Sequence, residues 1–79
     1  MHLEIITPEK TLYNGDIEIV KLPGTLGSFE ILINHAPLIS TLMAGTIKVR
    51  DINGVVLYFD ISSGVVEVLD NQVKVLAEI

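Results

Sequence analysis

Alternation of apolar and polar residues with a period of two, broken about every six to twelve residues by turn-forming pairs, constrains this chain more than anything else in it. Thr46-Ile47-Lys48-Val49-Arg50 is the cleanest instance, with Ile47 and Val49 on one face and both bases on the other. The same pattern predicts strands over 2–7, 16–22, 28–33, 55–61, 65–69 and 72–77. Residues 11–13 form a short extended piece, and 37–42 are extended or make one short turn. Turns are expected at Asn14-Gly15, Pro23-Gly24, Asn53-Gly54, Ser62-Ser63-Gly64 and Asp70-Asn71, because Gly and Asn tolerate positive φ and Pro cannot donate to a ladder. No window carries apolar residues at sustained helical spacing. The chain therefore reads as an all-β protein, a small β-sandwich or flattened barrel of eight to ten short strands, with 1–79 forming a single β-sandwich domain.

Seventy-nine residues lie near the lower limit for a core without staples, and there is no cysteine to supply a disulfide, a thiolate nucleophile or a thiolate metal ligand. With 49% hydrophobic residues, a dense core plus some apolar surface meant for another protein is expected. The longest apolar run, Val55-Val56-Leu57-Tyr58-Phe59, is far shorter than the roughly 20 residues of a membrane helix. No secretory signal pattern opens the chain. Ten acids against five bases give a net charge of −5, and only Lys48 and Arg50 lie close together, which argues against nucleic acid and against direct docking on anionic lipid.

Convergent reactive groups are scarce. His35, in Asn34-His35-Ala36-Pro37, has no serine, cysteine or acid at a motif spacing, so a loop histidine satisfied by nearby backbone is the simpler reading. His2 and His35 do not have zinc-ligand spacing. Gly24-Thr25-Leu26-Gly27 lacks the lysine and following helix of a phosphate cradle, leaving turn geometry as its explanation. Neither a catalytic residue, nor a cofactor, nor a metal is expected.

The segment Leu22-Pro23-Gly24 through His35-Ala36-Pro37-Leu38 is too irregular for a generic β-protein. Together with Ile5-Ile6-Thr7-Pro8-Glu9, Tyr13-Asn14-Gly15, Ser63-Gly64-Val65-Val66-Glu67-Val68 and Asn71-Gln72-Val73-Lys74-Val75-Leu76-Ala77, it resembles the epsilon subunit of F-type ATP synthases, in order and at family spacing. The family commonly has a Gly-Glu-aromatic-Gly run where this chain has Gly27-Ser28-Phe29-Glu30. The acid is thus absent at Ser28 and present two residues on, on the same strand face. Family members often continue into two C-terminal helices that inhibit hydrolysis and, in some, bind ATP. This sequence stops after its last predicted strand, so the expectation is the sandwich without that hairpin.

The resemblance implies a non-catalytic rotor subunit of the central stalk, binding the gamma subunit and the membrane c-ring within the alpha/beta/gamma/epsilon complex. It would help couple ion flow to ATP synthesis from the cytoplasmic face of the bacterial inner membrane, as a peripheral part. For the subunit interface the irregular loop and its flanks are expected: Ser28, Glu30, Ile31, Asn34, His35, Ala36, Pro37 and Leu38, with Leu42 and Met43 as apolar anchors. For Ile31, Leu38, Leu42 and Met43, core beneath a surface loop is the stronger reading, since an apolar residue of a small domain is more often buried. The rival class is a free-standing β-sandwich that binds a small ligand or peptide.

Overall fold

The computed structural model describes residues 1–79 and contains eight strands and no helix: β1 (His2–Ile6), β2 (Thr11–Gly24), β3 (Gly27–Leu32), β4 (Leu38–Leu42), β5 (Gly45–Asp51), β6 (Val56–Ile61), β7 (Ser63–Leu69) and β8 (Gln72–Glu78). The all-β expectation and the strand count agree with it. Most of the expected turns are present, and their dihedrals say why. Asp70 and Asn71 have φ of 50° and 60°, as a two-residue hairpin turn of the primed type demands. Asp51 Oδ1 accepts from the backbone N–H groups of Asn53 and Val55, holding the β5–β6 connection.

Two expected turns are not where the sequence reading places them: Pro23 and Gly24 still pair within β2, with Ser28 and Gly27, and the chain reverses one step later at Thr25-Leu26. Asn14-Gly15 does not reverse the chain: Asn14 pairs with Glu4 and Gly15 with Leu3, inside a fourteen-residue β2. The Tyr13 ring lies over Gly15, where a Cβ would stand 3.3 Å from the phenol oxygen. The reversal is replaced by a bulge. Along β2 the register with β5 shifts between Ile17 and Ile19, so one extra residue is inserted and the inward face changes phase. Ile17, Val20 and Leu22 are therefore the buried residues, and Ile19 turns outward, only half-buried.

This bulged strand builds the architecture. Its first half pairs with β1, and its second half pairs with β3 on one side and β5 on the other. One wall is β3–β2–β5–β6; the other runs β4–β7–β8–β1 and returns to β2. β1 and β8 pair in parallel, joining the two ends of the chain, while every other pairing is antiparallel. A single bridge from Gly24 to Leu42 ties the walls again at the far end of β2. Fifteen buried apolar residues from all eight strands fill the space between. At about 25 cal/mol per Å² of buried apolar surface, such a filled interior is the main favourable term for a chain of this size.

Candidate functional site

β3 is the strand from which the irregular segment departs in both directions, and its extended rise of about 3.4 Å per residue separates the two ends of the molecule. At one end lies the loop Ile33–Pro37. Here the chain turns with the His35 N–H donating to the Leu32 carbonyl at 3.1 Å and Asn34 in the left-handed region, φ 65°. The loop is fastened to the β7–β8 turn by a two-bond clip. The Asn34 N–H donates to Asn71 Oδ1 at 2.6 Å, and Asn71 Nδ2 donates to Asn34 Oδ1 at 3.0 Å. Both asparagines tolerate the left-handed conformation that lets their amides face each other.

His35 is half-buried, and its Nδ1 lies 2.7 Å from the Ala36 carbonyl oxygen. A carbonyl can only accept, so Nδ1 carries the proton and Nε2 is the ring atom left for another molecule. Beside the loop, Pro37, Leu38, Ile39, Glu67, Val68 and Leu69 line a shallow groove. Ile39 and Leu69 are 74% and 51% exposed, so this end presents apolar surface next to an imidazole nitrogen.

At the other end is the β2–β3 hairpin tip. Leu26 stands fully in solvent, a large apolar side chain on a turn where polar residues usually sit. Gly27 has φ 128°, which closes the turn after it, and the Thr25 and Thr41 hydroxyls are 2.9 Å apart beneath it. Met43, half in solvent, flanks the tip, with its N–H on the Pro23 carbonyl at 2.8 Å.

The residues expected at the interface divide between these places. Asn34, His35, Ala36 and Pro37 come together at the clipped end, and half-buried Leu38 leads away from them into β4. Ser28 and Met43 belong to the hairpin-tip end, and Glu30 lies between, exposed and opposite Lys21. Ile31 and Leu42 have 0% and 3% exposure and are core, so their side chains are not surface anchors. Four surface residues escaped the sequence reading: Leu26, Ile39, Leu69 and Asn71. Ile39 was within reach, since the inward phase of Leu38, Ser40 and Leu42 turns it outward. The clip from Asn34 to Asn71 crosses 37 residues and leaves no local signal.

The arrangement supplies hydrogen-bonding and apolar contacts at two separated ends of a stiff body, and comparison with known proteins supplies its context. The family model described as "ATP synthase, Delta/Epsilon chain, beta-sandwich domain" matches residues 1–79. An ATP synthase epsilon chain from Desulfosudis oleivorans is 40% identical over 78 residues, which make up 99% of this chain and 59% of that protein. The epsilon chain of Syntrophomonas wolfei is 42% identical over 76 residues and is covered over 56% of its length. That of Caulobacter vibrioides is 36% identical and is covered over 90%. The chain thus spans somewhat more than half the length of several of these curated relatives. In fold it is similar to a chain in the mitochondrial ATP synthase central stalk/c-ring structure from Tetrahymena thermophila, with a TM-score of 0.83 at 21% identity over all of this chain and 63% of that one. A chain of the Euglena gracilis mitochondrial ATP synthase matches with a TM-score of 0.85 at 18% identity, over 95% of this chain and 48% of that one.

Proposed function

The chain belongs to the ATP synthase delta/epsilon family as its β-sandwich domain, and from that membership we propose that it works in the central stalk, linking the gamma subunit to the c-ring. The observation that carries the reading is a family match running unbroken from residue 1 to residue 79. The geometry supplies a physical account of it. A body that joins two partners needs two contact regions, and the clipped His35 loop and the Leu26 hairpin tip lie at opposite ends of β3. Each end offers side chains suited to protein contact, apolar surface with a few directional polar groups.

The role is mechanical. Torque passed from ring to gamma must not be absorbed by the linker, and strand pairing with short connections leaves few segments that open on their own. The complex sits on a membrane, and this domain reaches it through its partners: no helix of the chain is long and apolar enough to cross a bilayer. On this reading it resides on the cytoplasmic face of a bacterial inner membrane and performs no bond chemistry.

The test is co-purification of the tagged chain from its native host, with partners identified by mass spectrometry. Recovery of gamma, alpha, beta and c-ring subunits is the expected result. Recovery of the chain alone, or with unrelated proteins, would sink the rotor assignment and leave the fold intact.

A further inference from the structure

Two of the four asparagines precede a glycine, in Asn14-Gly15 and Asn53-Gly54, and that pair has a chemistry of its own. Because glycine carries no side chain, its backbone nitrogen can reach the asparagine Cγ and close a cyclic imide. The step needs an accessible side-chain amide, a glycine nitrogen that can leave its hydrogen bond, and room for the backbone to rotate. The fold grants these to one pair and denies them to the other.

Asn14-Gly15 lies inside β2. Asn14 pairs with Glu4 and Gly15 with Leu3, and the Tyr13 ring covers Gly15. For the Gly15 nitrogen to attack, β2 must leave its ladder with β1, an opening that involves the core. Asn53-Gly54 lies in the β5–β6 turn, with both residues exposed and Gly54 at φ 82°. A Cβ on Gly54 would meet nothing within 4 Å, so no neighbour crowds the glycine. One turn bond restrains its nitrogen, whose N–H donates to the Asp51 carbonyl at 3.0 Å. Breaking that bond is local fraying. The other two asparagines are tied into the Asn34–Asn71 clip and are followed by His35 and Gln72, whose side chains hinder the attacking nitrogen.

We propose that Asn53 is a site of spontaneous deamidation, which makes the β5–β6 turn the place where this chain ages. The Gly54 nitrogen passes its proton to solvent base and bonds to Cγ of Asn53. The bond from Cγ to the side-chain nitrogen breaks, and that nitrogen leaves as ammonia after taking up a proton. Water then opens the imide, at one carbonyl to give aspartate and at the other to give isoaspartate, whose backbone is one carbon longer. Either product adds a negative charge to a chain already at −5, two residues from Asp51. The Asp51 carboxylate is also what holds the Asn53 and Val55 N–H groups, and the longer isoaspartyl backbone displaces them from it. β6 is fastened to the sheet through β5 alone, so β6 is the strand that loosens.

Incubation of the full chain in mildly alkaline buffer, followed by mass spectrometry of its peptides, tests this. In the folded chain, conversion at Asn53 should be at least about a hundredfold faster than at Asn14. In urea the two sites should convert at comparable rates, since the dipeptide is the same. Asp51→Ala frees the Asn53 and Val55 N–H groups and should speed conversion at Asn53 about fivefold without speeding it at Asn14. Amide exchange in the modified chain should accelerate in β6 and stay slow in β8. Any of four results overturns the assignment: equal rates at Asn14 and Asn53 in the folded chain, earlier conversion at Asn34 or Asn71, no acceleration in Asp51→Ala, or unchanged exchange in β6 after conversion.

Discussion

The two ends of the molecule solve the same problem by different means. At the hairpin tip, backbone geometry does the holding: Gly27 adopts φ 128°, and Gly24 is so closely packed that a Cβ would meet the Gly27 carbonyl oxygen at 2.6 Å and the Phe29 ring at 2.7 Å. At the His35 end, side chains do it, through the Asn34–Asn71 clip. A tip fixed by backbone packing leaves its side chains free, which is how Leu26 comes to be a bare apolar contact. A loop fixed by side chains has spent its asparagines, so its offer to a partner is Nε2 of His35 and the apolar groove beside it. The comparison predicts that damage at the tip spreads into the core, while damage at the clip stays local.

The sharpest way to break that comparison is Gly24→Val. The obstructing atom at Gly24 includes a backbone oxygen that cannot swing aside, and the displaced Phe29 packs against the core. A loss of about 3 kcal/mol is expected, read as a fall in both Tm and denaturant midpoint. If Gly24→Val unfolds at the wild-type temperature, backbone packing is not what holds the tip.

Asn71→Ala comes next. It removes the clip and places a Cβ-bearing residue without a compensating side chain at φ 60°, for a combined cost of about 2 kcal/mol. Asn71→Gly separates the two causes, since glycine accepts the dihedral and still lacks the amide; it should cost about 1 kcal/mol. Amide exchange at Asn34 and His35 should accelerate in both variants, while exchange in β5 and β6 stays slow. Acceleration throughout the sheet would contradict a local clip.

How far these features were legible depends on the range over which their causes act. Strand boundaries from β3 to β8 follow from alternation and from turn residues such as Asp70-Asn71, whose chemistry is contained in two or three positions. The straight course of β2 through Asn14-Gly15 was not legible, because that pair is a good turn signal and its extension is imposed from outside, by pairing with β1 and by the Tyr13 ring over Gly15. The parallel pairing of β1 with β8 and the Asn34–Asn71 clip join residues distant in sequence, and neither marks its own partner. The expected interface mixed two ends with the core for a related reason. Ser28, Ile31 and Asn34 are close in sequence, but along an extended strand one points outward, one inward, and one lies beyond the end.

Leu26→Ser probes function where stability should not move. Its side chain touches solvent on all sides, so Tm should stay within about 1 °C of wild type. In the proposed rotor, recovery of one stalk partner should fall while the other is retained. His35→Ala with Ile39→Asp should give the reverse pattern, because 74% of Ile39 is exposed and its replacement leaves the core intact. Loss of both partners from either variant would mean that the ends are not independent contacts.

The smallest effect concerns pH and the ladder that joins the two ends. Tyr13 packs edge-on against Phe59 with ring centroids 6.0 Å apart, and its hydroxyl titrates above the ordinary phenol value, because burial and then the Asp51 and Asp16 carboxylates disfavour the phenolate. The folded state therefore holds this proton more tightly than the unfolded chain does. The resulting stability is complete below the ordinary phenol pKa of about 10 and is lost as pH rises through the higher folded value. Tyr13 pairs with Ile5, which in turn pairs with Val75, so the ionising group lies along the β1–β8 ladder between the two ends. Alkaline titration should accordingly loosen amides around Ile5 and Val75 before those near Asn71 or Leu26. Tyr13→Phe should flatten the alkaline limb of the stability curve without changing Tm at neutral pH. An alkaline limb of the same slope in Tyr13→Phe would assign the loss to another group.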